Sequence, residues 1–156
     1  MSTPQATRVV GGVVPPVLLG RIRAGDVTDR ASLSAASYHL IGTETTRDAA
    51  SRSWAYLRGA WSAWRTADAS RSTGSTGTGG AREKWLLPLL DQLGYGRVQL
   101  VPAALHVDGR DYPVSHQWGH VPIHLLGPGI ALDRRNPGVV GAARAPQAML
   151  QELLNR

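Results

Sequence analysis

The sequence predicts an α+β fold, and three observations carry that reading. Apolar residues recur at helical spacing through the first half, a Ser/Thr/Gly tract interrupts the chain at 70–80, and the second half reads as helix, β-hairpin, strand and helix. The chain of 156 residues has the length of one ordinary domain. Its organisation is therefore a helical part over 1–69, a linker or loop over 70–80 and a small α+β part over 81–156, together one compact domain.

The elements follow in order. An apolar stretch, Val9 to Val14, carries Gly11-Gly12 and leads to Pro15-Pro16. Proline at the entry, Arg21 and Arg23 near the end and Gly25 just beyond predict a short helix ending near Ala24. After an irregular stretch with Tyr38-His39-Leu40, a longer helix is predicted from Glu44 to Ala69, with Thr43 as N-cap and Glu44 and Asp48 in its first two turns. Trp54, Leu57, Trp61 and Trp64 recur at three- and four-residue steps and mark one buried face. The alternative role for that stripe is a base-stacking surface, because an indole face stacks on any base. Arg47, Arg52, Arg58 and Arg65 share the helix, as a solvated face or as phosphate contacts.

The tract from Ser70 to Gly80 cannot bury apolar surface and reads as a flexible tether. It lacks the GxxxxGK[ST] spacing of a phosphate-binding loop. A helix over Glu83 to Leu93 follows, with Trp85, Leu86, Leu89 and Leu90 as its apolar residues, Pro88 as a kink and Gly94 as its stop. Val98 to Val107 reads as a strand, Asp108-Gly109 as a hairpin turn, Asp111 to Ser115 as the returning strand and Val121 to Leu126 as a third. Asp133 to Gly138 is a polar loop, and Pro146 opens a helix carrying Met149, Leu150, Leu153 and Leu154. That helix has no C-cap glycine, which leads to the expectation of a piece cut from, or encoded apart from, something longer.

Composition narrows the chemistry. Seventeen basic residues against eleven acidic ones leave a net charge of +6, and Lys84 is the only lysine, so the positive charge is almost all guanidinium. Such a balance suits contact with nucleic acid. With no cysteine, disulfides, Cys-ligated zinc and thiol nucleophiles are excluded. No apolar run approaches the ~18–20 residues of a transmembrane helix, and the start lacks a signal peptide's pattern; the expected setting is the cytoplasm, with no membrane partner.

His116, His120 and His124 stand at even spacing and form the candidate metal row. Gly119 and Pro122 oppose a continuous helix there, and an extended chain separates successive histidines by ~13 Å unless it folds back at Gly119. No carboxylate lies inside the row, and hydrogen-bonding roles are the expectation. The helix, hairpin and third strand resemble a degenerate restriction-endonuclease-like core, in which Asp108 or Asp111 would supply the first metal-binding carboxylate. The third strand, Pro122-Ile123-His124-Leu125-Leu126, offers neither the second carboxylate nor the lysine of that pattern. Ser115 and His116 are neighbours, but no GxSxG elbow marks a nucleophile, and no GxGxxG fingerprint for a dinucleotide is present.

A broader resemblance rests on particular text. Lys84-Trp85-Leu86-Leu87-Pro88-Leu89-Leu90, Leu93-Gly94-Tyr95-Gly96, Tyr112-Pro113-Val114-Ser115-His116, Trp118-Gly119-His120-Val121-Pro122-Ile123-His124-Leu125, Leu132-Asp133-Arg134-Arg135, Pro137-Gly138 and Gln151-Glu152-Leu153-Leu154-Asn155-Arg156 carry it. So do Val9-Val10-Gly11-Gly12, Leu18-Leu19 and Tyr38-His39-Leu40 near the start. Together they resemble the N-terminal region of large bacterial restriction-modification and phage-defence DNA methyltransferases, of the adenine-specific, S-adenosylmethionine-dependent class. In such proteins the cofactor loop and the Asn/Asp-Pro-Pro-Tyr/Phe motif that grips the flipped base lie downstream. Neither occurs here, since the only Asn-Pro, Asn136-Pro137, is followed by glycine.

The resemblance implies a noncatalytic module that needs no cofactor itself, engages DNA and docks on a methyltransferase core that binds S-adenosylmethionine. Arg134 and Arg135, with Arg110 next, are the expected phosphate contacts. The alternatives are a metal-dependent nuclease using Asp108, Asp111 and His124, and a pure interaction subunit that never touches DNA.

Overall fold

A computed structural model describes residues 15–24, 26 and 34–156, which form α-helices and small antiparallel sheets, an α+β fold. The apolar segment Val9 to Val14 and the expected helix stop at Gly25 lie outside the described residues. The chain divides into two units, Met1–Ser51 and Arg52–Arg156.

In the first unit, α1 (Pro16–Ala24) starts at the proline whose missing N–H a first turn does not need. A 3-10 turn, Ala35–Tyr38, is capped by Ser34 and closed by His39 at φ 54°. The long helix α2 (Thr46–Ala69), most of which belongs to the second unit, begins two residues later than its sequence suggests. Thr45, not Thr43, caps it: its Oγ1 accepts the Asp48 N–H at 3.2 Å while the Asp48 carboxylate accepts the Thr45 N–H at 3.1 Å and its hydroxyl at 2.6 Å. This reciprocal box satisfies two orphan donors, and a cap at Thr43 would leave Asp48 out of reach.

In the second unit the helical run extends over 78–95, longer at both ends than expected. It comprises α3 (Thr78–Ala81), a π turn (Arg82–Leu86), α4 (Leu87–Leu90) and a second π turn (Asp91–Tyr95). Pro88 has no N–H for an i→i−4 bond, and the wider π turns on either side of it take the place of the predicted kink. Gly94, at φ 89°, ends the run as its position implied.

The strands depart most from the sequence pattern. Val98 to Val107 is not one strand: β1 (Gln99–Leu100) and β2 (Leu105–Val107) belong to different sheets, because Pro102 cannot donate to a ladder and interrupts the run. β2 pairs with β3 (Arg110–Tyr112) through the predicted Asp108-Gly109 turn, whose two positive φ values are those of a type I′ hairpin. The Val114 N–H then bonds the Tyr112 carbonyl at 2.8 Å, and this tight turn at Pro113 ends the returning strand three residues early. β4 (His116–Trp118) has no counterpart in the predicted elements; it pairs with β1 and with β5 (Val121–Ile123), giving the order β1-β4-β5. The β4–β5 hairpin closes over Gly119-His120, with Gly119 at φ 55° in the first turn position.

α5 (Pro146–Leu154) covers the β2–β3 hairpin. Tyr112, Val114 and Met149 are the buried centre, with Val101, Leu105, Val107, Leu150 and Leu153 packed around them. The Ser/Thr/Gly tract makes specific contacts within the second unit, to which it belongs. Gly127 N–H donates to the Thr78 hydroxyl at 3.1 Å and Gly129 N–H to the Thr76 carbonyl at 3.3 Å. The two backbones approach so closely that a Cβ on Gly127 would overlap the Thr76 carbonyl oxygen and the Thr78 nitrogen. Gly127→Ala is therefore expected to lower unfolding stability by about 1–3 kcal/mol, the range for overpacking against atoms that cannot move aside. Urea denaturation checks this, and an unchanged midpoint would show that the tract does not hold this seat.

Candidate functional site

Three regions of the second unit collect groups that can recognise or react. The first is a cleft of about 830 Å³ whose lining includes Glu83, Asp91, Arg97, Leu100 and His116. Leu100 and His116 face each other across β1 and β4, so the sheet forms one wall and the helical run over 78–95 the other. His116 is almost completely buried. Desolvation first, then the Arg82 guanidinium and His124, push its pKa below the ordinary imidazole value and favour the neutral ring. Its Nδ1 lies 2.9 Å from Ser115 Oγ. That oxygen also accepts the Leu125 N–H at 2.8 Å and donates to the Ile123 carbonyl at 3.4 Å, so Ser115 ties together the chain on either side of the β4–β5 hairpin.

The histidine row does not converge. The chain does fold back at Gly119, which puts His116 opposite Ile123 and leaves His120 exposed in the turn at the far end of the hairpin. His124 is half-buried; its Nε2 lies 2.8 Å from the Gly141 carbonyl, which makes that nitrogen the donor, and its Nδ1 is buried without a partner among the described residues. Burial lowers the His124 pKa, against the opposing pull of that backbone bond. Among the described residues no three His, Asp or Glu side chains are grouped to hold a metal ion.

The residues of the alternative nuclease site are each engaged elsewhere. Asp111 Oδ1 lies 2.8 Å from His106 Nδ1 on the exposed face of the β2–β3 hairpin, and Asp108 in its turn lies 3.6 Å from Arg156. His124 follows β5, in the other sheet.

The second region is a charge cluster that sequence inspection did not find. Glu152 on α5 accepts from Arg110, Arg144 and the Tyr112 hydroxyl, the last at 3.2 Å, with Arg156 at 3.6 Å. The Arg144 and Arg110 hydrogen bonds bring its pKa down to about 2. Arg110, one of three expected DNA contacts, thus shares the Glu152 carboxylate with Arg144 and Arg156. Arg134 and Arg135 make no ion pair among the described residues. They stand exposed on a loop held by Asn136, whose side chain accepts the Ala131 N–H at 3.1 Å and donates to the carbonyls of Ala131 at 2.8 Å and Arg134 at 3.0 Å. The Asn136–Val139 turn, bonded at 3.1 Å with Pro137 inside it, fixes the loop's far end.

The third region is the tryptophan stripe, which departs from the predicted buried face. Trp64 is buried, but Trp61 is 42% and Trp54 65% exposed. The rings of Trp61 and Trp85 lie 4.8 Å apart and those of Trp64 and Trp85 stack at 6.5 Å, so only the later part of the stripe is covered. Trp54, Leu57, Arg58, Trp61, Trp85 and Leu89 line an apolar groove of about 390 Å³.

Comparison with family models, with curated proteins and with solved structures finds no match to this chain.

The pKa shifts set the acid response. The folded chain holds His116 and His124 below the ordinary value of 6.5, so their contribution is full above that pH. It is lost as pH falls, because the unfolded chain takes up those protons first. Glu152 adds a second step, present above about 4.5 and lost as pH falls toward 2. Urea unfolding at a series of pH values is expected to show both. Glu152→Gln should remove the lower step alone, and a variant that kept the wild-type loss below pH 4.5 would show that Glu152 does not cause it.

Proposed function

We propose that this chain is a noncatalytic module of a restriction-modification type DNA methyltransferase, engaging DNA through unpaired arginines and docking on a separate catalytic core that binds S-adenosylmethionine. The methyltransferase assignment comes from the sequence resemblance. What supports the DNA contact is the way the fold sorts its cations. Arg71 is paired with Asp68, Arg82 with Glu83, and Arg110 and Arg144 with Glu152, whereas Arg134 and Arg135 make no ion pair among the described residues. Asn136 braces the backbone that carries these two adjacent guanidiniums, whose donors, apart from Arg135 Nε at 3.5 Å from the Ala143 carbonyl, are left to meet a phosphate oxygen.

The docking half of the reading rests on the β1-β4-β5 sheet. Pairing puts Leu100, Trp118 and Val121 on one face, where they are 64%, 45% and 50% exposed. Tyr95 meets Trp118 edge-on at 5.2 Å and widens the patch. Exposed apolar surface of this kind marks interaction sites. Among the described residues no helix is long and apolar enough to cross a membrane.

Titration of fluorescent duplex DNA from about 50 to 200 mM salt tests the reading. Affinity should fall with salt, and Arg134→Ala/Arg135→Ala should make the slope of log K against log salt shallower by about 1.8, the loss of two phosphate contacts. Absence of duplex binding at the lowest salt, or cleavage of the DNA when Mg²⁺ is added, would replace this reading with the docking subunit or the nuclease.

A further inference from the structure

The groove on α2 has a composition that neither a hydrophobic core nor a solvated helix face requires. Its walls are three indoles and two leucines, and the polar residue in its lining is Arg58. Trp61, Trp64 and Trp85 contact one another, with Trp61 and Trp64 centroids 4.8 Å apart, and the Arg65 guanidinium lies over Trp61 at 5.8 Å. Trp54 has no ring partner among the described residues and is the most exposed indole of the set. A flat apolar face thus stands open beside a cluster that fixes the rest of the groove.

We propose that this groove is a stacking site for an unpaired base of single-stranded DNA, with Trp54 as the platform and Arg58 as the contact to the adjoining phosphate. The proposal rests on the DNA-engaging reading above and deepens it by naming the form of DNA recognised. Charge decides between a nucleic acid and an apolar protein segment. Arg58 and Arg65 make no ion pair among the described residues, while the acidic residues of α2, Asp48 and Asp68, are committed to the Thr45 cap and to Arg71. An apolar helix laid in the groove would leave the exposed guanidiniums of Arg58 and Arg65 beside it without a counter-charge. A nucleotide supplies both a π-face for the indole and an anion for the guanidinium. Duplex DNA does not, because its base faces are occupied by one another. The volume of about 390 Å³ is at the small end of ligand sites, with room for a nucleotide.

Anisotropy with a labelled single strand of about 16 nucleotides, against the duplex of the same sequence, is the test. The full chain should bind the single strand more tightly, with indole emission quenched on binding. Trp54→Ala should weaken single-strand binding by about tenfold and leave duplex binding unchanged, and Trp54→Tyr should restore most of the loss. Because Trp54 is exposed, neither variant disturbs the packed Trp61, Trp64 and Trp85. Arg58→Gln should make the single-strand salt slope shallower by about 0.7. If duplex binding stands while single strands bind no better and Trp54→Ala changes nothing, the stacking site is wrong and the arginine reading survives. If neither form binds, both fall. A self-association that Trp54→Ala abolishes would make the groove an interface between copies and would also overturn the proposal.

Discussion

The seating of α5 on the β2–β3 hairpin is the constraint on which the rest of the second unit depends. Tyr112 supplies both halves of it: the ring is fully buried against Met149, and the hydroxyl donates to Glu152. Burying the two side chains is worth about 1.5–3 kcal/mol each, and the polar end of the tyrosine finds the acceptor that its burial demands. Glu152 then draws in Arg110 from the hairpin, Arg144 from the loop before α5 and Arg156 from the chain's last residue. A single carboxylate gathering so many donors holds together segments some forty residues apart in sequence. The arginines nearest the core share that carboxylate, whereas those at 134 and 135 make no ion pair among the described residues.

How much of this was legible follows from the range of each interaction. The Asp108-Gly109 hairpin, the start of α5 at Pro146 and the stop at Gly94 were readable, because each is a local choice of backbone conformation by one or two residues. The α2 cap was misplaced by two positions, since Thr43 and Thr45 are equally good caps and only the reach of Asp48 separates them. β4 was missed for another reason. His116-Gln117-Trp118 has no apolar alternation, and the signal that marks it is the Gly-X pair at 119–120, a two-residue turn hidden inside a row of histidines. The Glu152 cluster and the seat of the Ser/Thr/Gly tract on Gly127 are non-local pairings that no window of sequence displays.

The tryptophan stripe shows where periodicity stops informing. Spacing at three and four residues says correctly that Trp54, Leu57, Trp61 and Trp64 share a face of α2. It does not say how far along the helix another element extends to cover that face. Trp85, on the first π turn, reaches Trp61 and Trp64, and the cover ends before Trp54. Burial is a property of the partner's length as much as of the helix's own pattern, so a stripe that reads as core can be half core and half surface.

Arginine's predominance gives the unpaired positions a common physical character. A guanidinium stays charged across the accessible pH range, and its planar fork loses little freedom in meeting a phosphate or lying over a ring. The imidazoles of His116 and His124 are held toward neutrality by burial, and with Lys84 the only lysine, the Lys and Arg charge is almost all guanidinium. Asn136 fixes the loop that carries Arg134 and Arg135, and a helix carries Arg58 and Arg65. Electrostatic attraction of this kind reaches any polyanion and by itself selects nothing. Discrimination requires a second feature with a shape of its own, and on this chain the open indole of Trp54 beside Arg58 is such a feature, flat where the arginines are only charged.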